Sequence, residues 1–387
     1  MPRRIKYRLP NVRTSPRSRF LWLLALVGLA VAGWLWWHSG KSTPPALTPA
    51  PIPAPTPTQA VQQLPPLPPP RVEPEAPPPV VPAPPPRPIT KPSPEPPPPE
   101  GFPRPVRNVF EAQLAMARMG ISSGSLDGLI GPQTRAALRA FQQKEGLPVS
   151  GELDPTTKER LHLAAPPYGT YTVTTNDLAR LQPLSATWLG KSQQTALEYE
   201  TILELVAEKS HAHPNLIRGL NPSIDWTNVV AGTSLQVPDA ACAEASSKAA
   251  FATISLGGKV LEAFDANTNL LAHFPCSIAQ RVEKRPDGEL HVAAIAPNPN
   301  YTFDPDVFPE SAEARQLKTK LVLPPGPNNP VGVAWISLDK PGYGNHGTPG
   351  PEQVGRTESH GCFRLANWNA EHLLKLVWVG MPVYVEP

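Results

Sequence analysis

Cysteine is scarce: Cys242, Cys276 and Cys362 are the only three in 387 residues. So few cannot build a disulfide framework, and an odd count leaves at least one thiol outside any pairing. A basic domain is missing as well. The net charge is +3, yet Arg3, Arg4, Lys6, Arg8, Arg13, Arg17 and Arg19 supply seven positive charges within residues 1–19, which hold no acidic residue; everything after them sums to −4. Nothing basic is left there for nucleic acid to recognise, so no nucleic-acid partner is expected. His211 and His213, in Ser-His-Ala-His-Pro, have no cysteine or acidic residue at ligand spacing. They read as solvated loop histidines, and no metal or other cofactor is implied. Uncharged apolar stretches long enough for a membrane are confined to one, Phe20–Trp37, of 18 residues.

That run is just long enough to cross a bilayer as a helix. The basic tail ahead of it predicts a cytoplasmic N-terminus, with everything after Trp37 on the far side and Trp34, Trp36 and Trp37 at the outer interface. A cleaved signal peptide is the rival reading. Ala30-Val31-Ala32 is the tempting cleavage site, but the apolar run continues past it, which favours an uncleaved anchor. Proline is then abundant, 56 in all, with 29 of the 62 residues from Pro44 to Pro105. No core can form in such a tract. It is expected as an extended polyproline II spacer with a reach of roughly 190 Å at about 3.1 Å per residue.

From residue 108 the pattern becomes helical. Phe110, Leu114, Ala117 and Ile121 recur on one helical face. Pro132 suits a first turn, with Thr134, Leu138 and Phe141 lining a second helix that ends near Gly146. Asp154-Pro155 reads as the cap and first turn of a third short helix, with Leu161 buried. Residues 171–238 begin with a strand at Tyr171-Thr172-Val173 and a helix entry at Asn176-Asp177-Leu178. A helix rich in Leu and Ile follows (Ile202, Leu203, Leu205, Val206), and the segment closes at Gly232-x-x-Leu235-x-Val237-Pro238. From Phe251 the period turns to two: Phe251–Leu256, Lys259–Phe264, Leu270–Ile278, Leu290–Ile295, Val331–Leu338 and Val383–Val385 read as strands, and Asn369–Val377 as the one helix.

Chemistry is concentrated near the C-terminus. Gly344-Asn345-His346-Gly347-Thr348-Pro349 is followed by Ser359-His360-Gly361-Cys362-Phe363-Arg364-Leu365. A cysteine is a strong nucleophile only as thiolate, so it needs a neighbouring base or positive charge, and His346 and His360 are the candidates. Cys242 and Cys276 flank the start of this domain; they could pair with each other or stand as ordinary thiols.

Three resemblances follow from these motifs. Asp127, Gly128, Gly131, Thr134, Phe141, Gln142, Gly146, Leu147, Asp154 and Thr157 follow the pattern of the three-helix peptidoglycan-binding module. The landmarks of residues 168–240 resemble a LysM, a βααβ module that grips glycan chains, lengthened here around Leu184–Glu200. The His–Cys string resembles the signature of the L,D-transpeptidases, the YkuD-like family. That likeness extends to Pro325–Gly332, Trp335-Ile336-x-Leu338 and Gly342-Tyr343-Gly344. The family's Thr-Pro-x-Gly is missing, replaced by Arg285-Pro286-Asp287-Gly288, and its usual aliphatic residue before the histidine is Asn345.

These resemblances imply a multidomain α+β protein. Its parts are a basic cytoplasmic tail (1–19), a single transmembrane signal anchor (20–37), a proline-rich linker (38–107), the peptidoglycan-binding module (108–165), the LysM-like module (168–240) and a β-rich catalytic domain (250–387). The protein is then expected in the inner membrane, with its other domains in the periplasm or cell wall. The implied activity is peptidoglycan L,D-transpeptidation. Cys362 is the nucleophile and His346 the general acid/base, with the Gly347 carbonyl orienting it. His360 and Gly361 supply oxyanion-binding backbone N–H groups, and Arg364 and Ser359 bind the stem peptide. For His360 a purely structural hydrogen bond stays open, and for Arg364 a local ion pair. Partners are stem peptides and glycan strands. Water as acceptor would make an L,D-carboxypeptidase, and a lipoprotein lysine an anchoring transferase. A sortase would need a Thr-Leu-x-Thr-Cys strand, which is absent, and wall-degrading cysteine peptidases place Cys before His. A non-catalytic wall anchor would have no need of His346 and Cys362. Wall affinity is expected in 108–240 and chemistry in 250–387, as separable pieces.

Overall fold

The computed structural model describes residues 101–242, 247–308, 311–357, 359 and 361–387. The basic tail, the apolar run, the linker up to residue 100, and His360 lie outside the described residues. Among the described residues no helix is long and apolar enough to cross a membrane.

The N-terminal module comprises β1 (Arg104–Pro105), α1 (Val109–Arg118), α2 (Pro132–Lys144), α3 (Pro155–Arg160) and β2 (His162–Leu163). Its helices start where their caps dictate: Asn108 accepts from Glu111 N–H and Asp154 from Thr157 N–H, while Pro132 and Pro155 occupy first turns. Its signature polar residues work as internal ties. The buried Gln142 amide donates to Ser150 Oγ, the Glu152 carbonyl and Thr157 Oγ1, and accepts from Gly151 N–H. The helix expected to carry Ile121 stops at Arg118. Residues 120–122 instead run beside the C-terminal sheet, where Ser122 N–H donates to the His273 carbonyl at 2.8 Å and His273 N–H to that of Gly120 at 3.0 Å.

The middle segment runs β3 (Tyr168–Thr172), α4 (Thr175–Ala179), α5 (Trp188–Ser192), α6 (Ile202–Lys209), α7 (Pro214–Leu220) and β4 (Ser234–Pro238), with β3 and β4 paired antiparallel. Four helices rather than two lie between the strands, and α5 belongs to the extra stretch 184–200. His211 departs from the expected solvated loop: it stacks on Trp368 of the C-terminal domain, with ring centroids 5.2 Å apart. Both the N-terminal and middle segments contribute to one hydrophobic core, which joins Leu114, Leu138 and Phe141 to Leu205, Val206 and Leu235.

The C-terminal domain contains β5 (Phe251–Ser255), β6 (Val260–Phe264), β7 (Leu270–Pro275), β8 (Gly288–Pro297), β9 (Tyr301–Phe303), α8 (Ala312–Gln316), β10 (Leu321–Leu323), β11 (Ala334–Leu338), β12 (Gly344–His346), β13 (Phe363–Arg364), α9 (Asn367–Leu376) and β14 (Pro382–Glu386). Eight strands form one sheet in the order β13-β12-β11-β8-β14-β5-β6-β7, and β9 pairs with β10 apart from it. The six stretches of period two all carry strands. Helix α8 is additional to the single helix anticipated.

The expectation of separable pieces meets a continuous set of contacts. The hairpin β9–β10 packs its Phe303 and Leu323 with Leu197 of the middle segment, and Trp188 stacks on Phe303 at 4.3 Å. The Glu313 carboxylate accepts from Trp188 and Leu189 N–H, and Asn369 Nδ2 donates to Ser122 Oγ. Residues 120–122 cover the edge β7 and satisfy backbone groups that would otherwise be left open. Cys242 and Cys276 are both free thiols, so they do not pair, and burial pushes Cys276 up to about 12.

Packing of this kind predicts one cooperative thermal transition for the folded region. Phe141→Ala, which opens a cavity in the shared core, should cost about 3–5 kcal/mol and lower that single midpoint. Calorimetry resolving an N-terminal transition that moves while a second stays fixed would contradict the shared core.

Candidate active site

Strand β12 pairs in parallel with β13, Asn345 opposite Phe363 and His346 opposite Arg364. One step back, Cys362 stands opposite Gly344. Alternation along the strands puts His346, Arg364 and Cys362 on one face, while Asn345 and Phe363 turn to the other and are buried. The three side chains line one groove of about 340 Å³. On the neighbouring strand Trp335 pairs with His346 and stacks on its ring, centroids 5.6 Å apart. Trp188, Tyr301 and Phe308 wall the groove on another side.

Strand β13 is only two residues long, and the segment after β7 grips it. Ser277 exchanges two backbone hydrogen bonds with Arg364, of 3.0 and 2.9 Å. Ser359 N–H donates to the Ile278 carbonyl, Gln280 N–H to that of Ser359, and Gly355 N–H to Ser277 Oγ. The cysteine loop is thereby held at both ends.

His346 is buried, and its Nδ1–H donates to the Gly347 carbonyl at 2.6 Å. That bond selects the tautomer in which Nε2 is the ring's free acceptor. The Gly347 carbonyl is thus the ring's partner at Nδ1. Cys362 Sγ donates to the Gly342 carbonyl at 3.4 Å. Burial pushes the thiol up to about 11, against smaller opposite pulls from Gly344 N–H and the Arg364 charge. Burial likewise pushes His346 down to about 4. The resting pair is therefore a neutral imidazole and a neutral thiol.

Ser359 and Gly361 depart from their expected parts. Ser359 borders the groove, but its hydroxyl donates to the Cys362 carbonyl at 2.5 Å and accepts from Gly361 N–H at 3.3 Å. The serine braces the loop, and Gly361 N–H must leave it before it can receive an oxyanion. Burial lowers the Arg364 guanidinium from its usual range, while the nearby thiol pulls the other way. Asn345 is buried with its amide oxygen unpartnered among the described residues. Among the described residues no three His, Cys, Asp or Glu side chains converge as metal ligands.

Residues 250–385 match the L,D-transpeptidase catalytic domain. Residues 106–161 match the family described as "Putative peptidoglycan binding domain". Among curated proteins, "Putative L,D-transpeptidase YkuD" of Bacillus licheniformis is 24% identical over 188 residues, covering 49% of this chain and 94% of that protein. "Putative L,D-transpeptidase YqjB" of Bacillus subtilis is 33% identical over 105 residues, covering 26% of this chain and 51% of that protein. Among solved structures, L,D-transpeptidase 3 of Mycobacterium tuberculosis aligns with a TM-score of 0.29 at 17% identity, over 41% of this chain and 77% of that one. An L,D-transpeptidase of Xylanimonas cellulosilytica aligns with a TM-score of 0.32 at 14% identity, over 73% and 94%.

Sequence reasoning missed Trp188 and Tyr301. Trp188 lies far from Cys362 in the chain, and its one signal was the unexplained length of 184–200. Tyr301 sits on a three-residue strand, too short for a periodic pattern.

A neutral resting pair has a measurable consequence. With the thiol raised to about 11, its thiolate fraction at pH 7 is on the order of 10⁻⁴. Iodoacetamide labelling of Cys362, followed by peptide mass mapping, should rise roughly tenfold per pH unit from 7 to 10. A plateau across neutral pH would reveal a preformed thiolate–imidazolium pair instead.

Proposed function

We propose that this chain is a cysteine-dependent peptidoglycan L,D-transpeptidase. The observation that carries the reading is the shared face of β12 and β13, where an imidazole with Nδ1 held by the Gly347 carbonyl lines one groove with the Cys362 thiol and the Arg364 guanidinium. As Sγ attacks the carbonyl carbon of the L,D-bond in a tetrapeptide stem, the thiol proton passes to His346 Nε2. The C–N bond breaks, His346 returns the proton to the departing amine of D-alanine, and a thioester remains on Cys362. An amine acceptor, the side chain of a neighbouring diaminopimelate, attacks the thioester while His346 takes its proton, and the thiol is restored. Oxyanion charge is received by backbone N–H groups around His360, Gly361 and Cys362, that of Gly361 once it has left Ser359 Oγ. Arg364 suits a stem carboxylate through its bidentate fork. Water as acceptor gives the carboxypeptidase and a lipoprotein lysine the anchoring enzyme; muropeptide mass spectrometry of cells with and without the protein separates the three.

Carbapenems acylate the family that the motif resembles. One should add a single adduct mass to the wild type and none to Cys362→Ala. An adduct surviving on that variant removes the nucleophile assignment. His346→Ala should slow acylation by a factor on the order of 10² to 10⁴.

The reading also places the protein at the inner membrane, anchored through 20–37, with 106–161 and a LysM-like 168–240 holding the wall. Its basis is the basic tail ahead of the 18-residue apolar run and the match to a peptidoglycan-binding family. Protein recovered from membranes should retain residues 1–37 by intact mass, and the soluble remainder should sediment with sacculi. A mature form starting near Gly33, or a remainder that stays in the supernatant, counts against the corresponding half.

A further inference from the structure

The peptide unit that aims His346 is itself held by Asn367, and Asn367 is held in turn from outside the catalytic domain. The Gly347 carbonyl receives His346 Nδ1–H at 2.6 Å, and the N–H of that same planar unit, on Thr348, donates to Asn367 Oδ1 at 3.1 Å. Asn367 opens α9 and is fully buried. Its Oδ1 accepts a second, longer bond from Val333 N–H at 3.4 Å. Its Nδ2 donates to the Pro327 carbonyl at 3.1 Å and to Glu208 Oε2 at 2.9 Å. All four sites of the amide are used, with N–H groups facing only acceptors and oxygen facing only donors, so its orientation is determined. Glu208 lies on α6 of the middle segment, and its other oxygen accepts from Tyr199 OH at 2.9 Å.

The seat for this amide is built into the backbone. A Cβ on Gly347 would lie 2.2 Å from Asn367 Oδ1, and one on Gly332, at φ +61°, 2.0 Å from it. Only glycine at both positions leaves room. Every donor along the line points the same way: imidazole N–H to Gly347 oxygen, Thr348 N–H to Asn367 oxygen, Asn367 N–H to Glu208 carboxylate. Hydrogen bonds aligned head to tail in a buried setting polarise one another.

We propose that Glu208 is a positioning residue for His346, acting through Asn367 and the Gly347–Thr348 peptide. It does the orienting work that a carboxylate touching the imidazole does in other nucleophile–histidine sites, two amides removed. No proton travels along the line. The carboxylate holds Asn367, Asn367 holds the peptide, and the peptide holds Nδ1–H, leaving Nε2 toward the groove. The middle segment is then part of the catalytic apparatus as well as a wall-facing element. This inference rests on the transpeptidase reading for its kinetic test but not for its spectroscopic one.

The experiment uses the full chain and three variants, Glu208→Ala, Glu208→Gln and Asn367→Asp. Glutamine keeps an oxygen for Asn367 Nδ2, whereas Asn367→Asp removes the amide N–H donors to Glu208 and to the Pro327 carbonyl. Acylation by a carbapenem should show a limiting rate reduced roughly 10- to 100-fold in Glu208→Ala and Asn367→Asp, with the half-saturating concentration unchanged. Glu208→Gln should recover most of the loss. The imidazole ¹⁵N shifts of His346, selectively labelled and without any acylating agent, should show the Nδ1–H tautomer in wild type and Glu208→Gln, and a mixture of tautomers in Glu208→Ala. A Glu208→Ala protein that melts earlier, yet whose folded fraction keeps the wild-type limiting rate and the wild-type ¹⁵N shifts, overturns the proposal and leaves Glu208 a brace only. If wild type forms no adduct, the transpeptidase reading fails, and the ¹⁵N comparison still decides the role of Glu208.

Discussion

The parallel pairing of β12 with β13 is the constraint on which the rest of the site depends. Because His346 stands opposite Arg364 and Cys362 one step before, the imidazole, the thiol and the guanidinium emerge on a single face. A slip of one residue would send Phe363 into the groove and Cys362 into the core, since side chains alternate at every step. Two residues of β13 cannot secure that register alone. The backbone grip of 277–280, and the Ser359 hydroxyl closing on the Cys362 carbonyl, secure it from the other side.

Burial then sets the electrostatics. It raises the thiol and lowers the imidazole, so at rest neither of the two is charged, and the Arg364 guanidinium lies on the same face. In the proposed reaction, charge develops on sulfur and on the imidazole only as attack proceeds, in a groove walled by Trp188, Tyr301 and Phe308. A half-desolvated site makes the orientation of a neutral histidine matter more, because the tautomer decides whether Nε2 can accept a proton at all. The line from Glu208 to Gly347 meets that requirement with amides rather than with a second carboxylate beside the ring.

The wall-binding signatures and the catalytic signature lie in separate stretches of sequence, but they do not fold as separate bodies. Residues 120–122 extend the sheet past β7, and Leu197 and Trp188 complete a small core with Phe303 and Leu323. Asn328 donates from the catalytic domain to Glu204 Oε1 at 2.6 Å and to the Glu198 carbonyl. Extra length in the middle segment, which weakened its likeness to a LysM, is spent on contact with the catalytic domain.

Local signals sufficed for the parts whose physics is local. Alternation of apolar residues marked the six long strands, Asp154 and the first-turn prolines marked helix starts, and Ser359–Arg364 with His346 marked the candidate site. The Gly347 carbonyl entered only through the family resemblance, and it is the backbone that brings it to His346 Nδ1. What the tertiary structure alone decided was everything joining distant residues. His211 looks like a loop histidine by composition, and it is its position against Trp368 that covers one face of its ring. Ser359 sits three residues before Cys362 in sequence, yet its hydroxyl turns to the Cys362 carbonyl. Asn367 and Glu208 are 159 residues apart. No periodicity encodes a hydrogen bond of that span. It exists because two glycines leave space for one amide, and because β12, α6 and α9 converge on it.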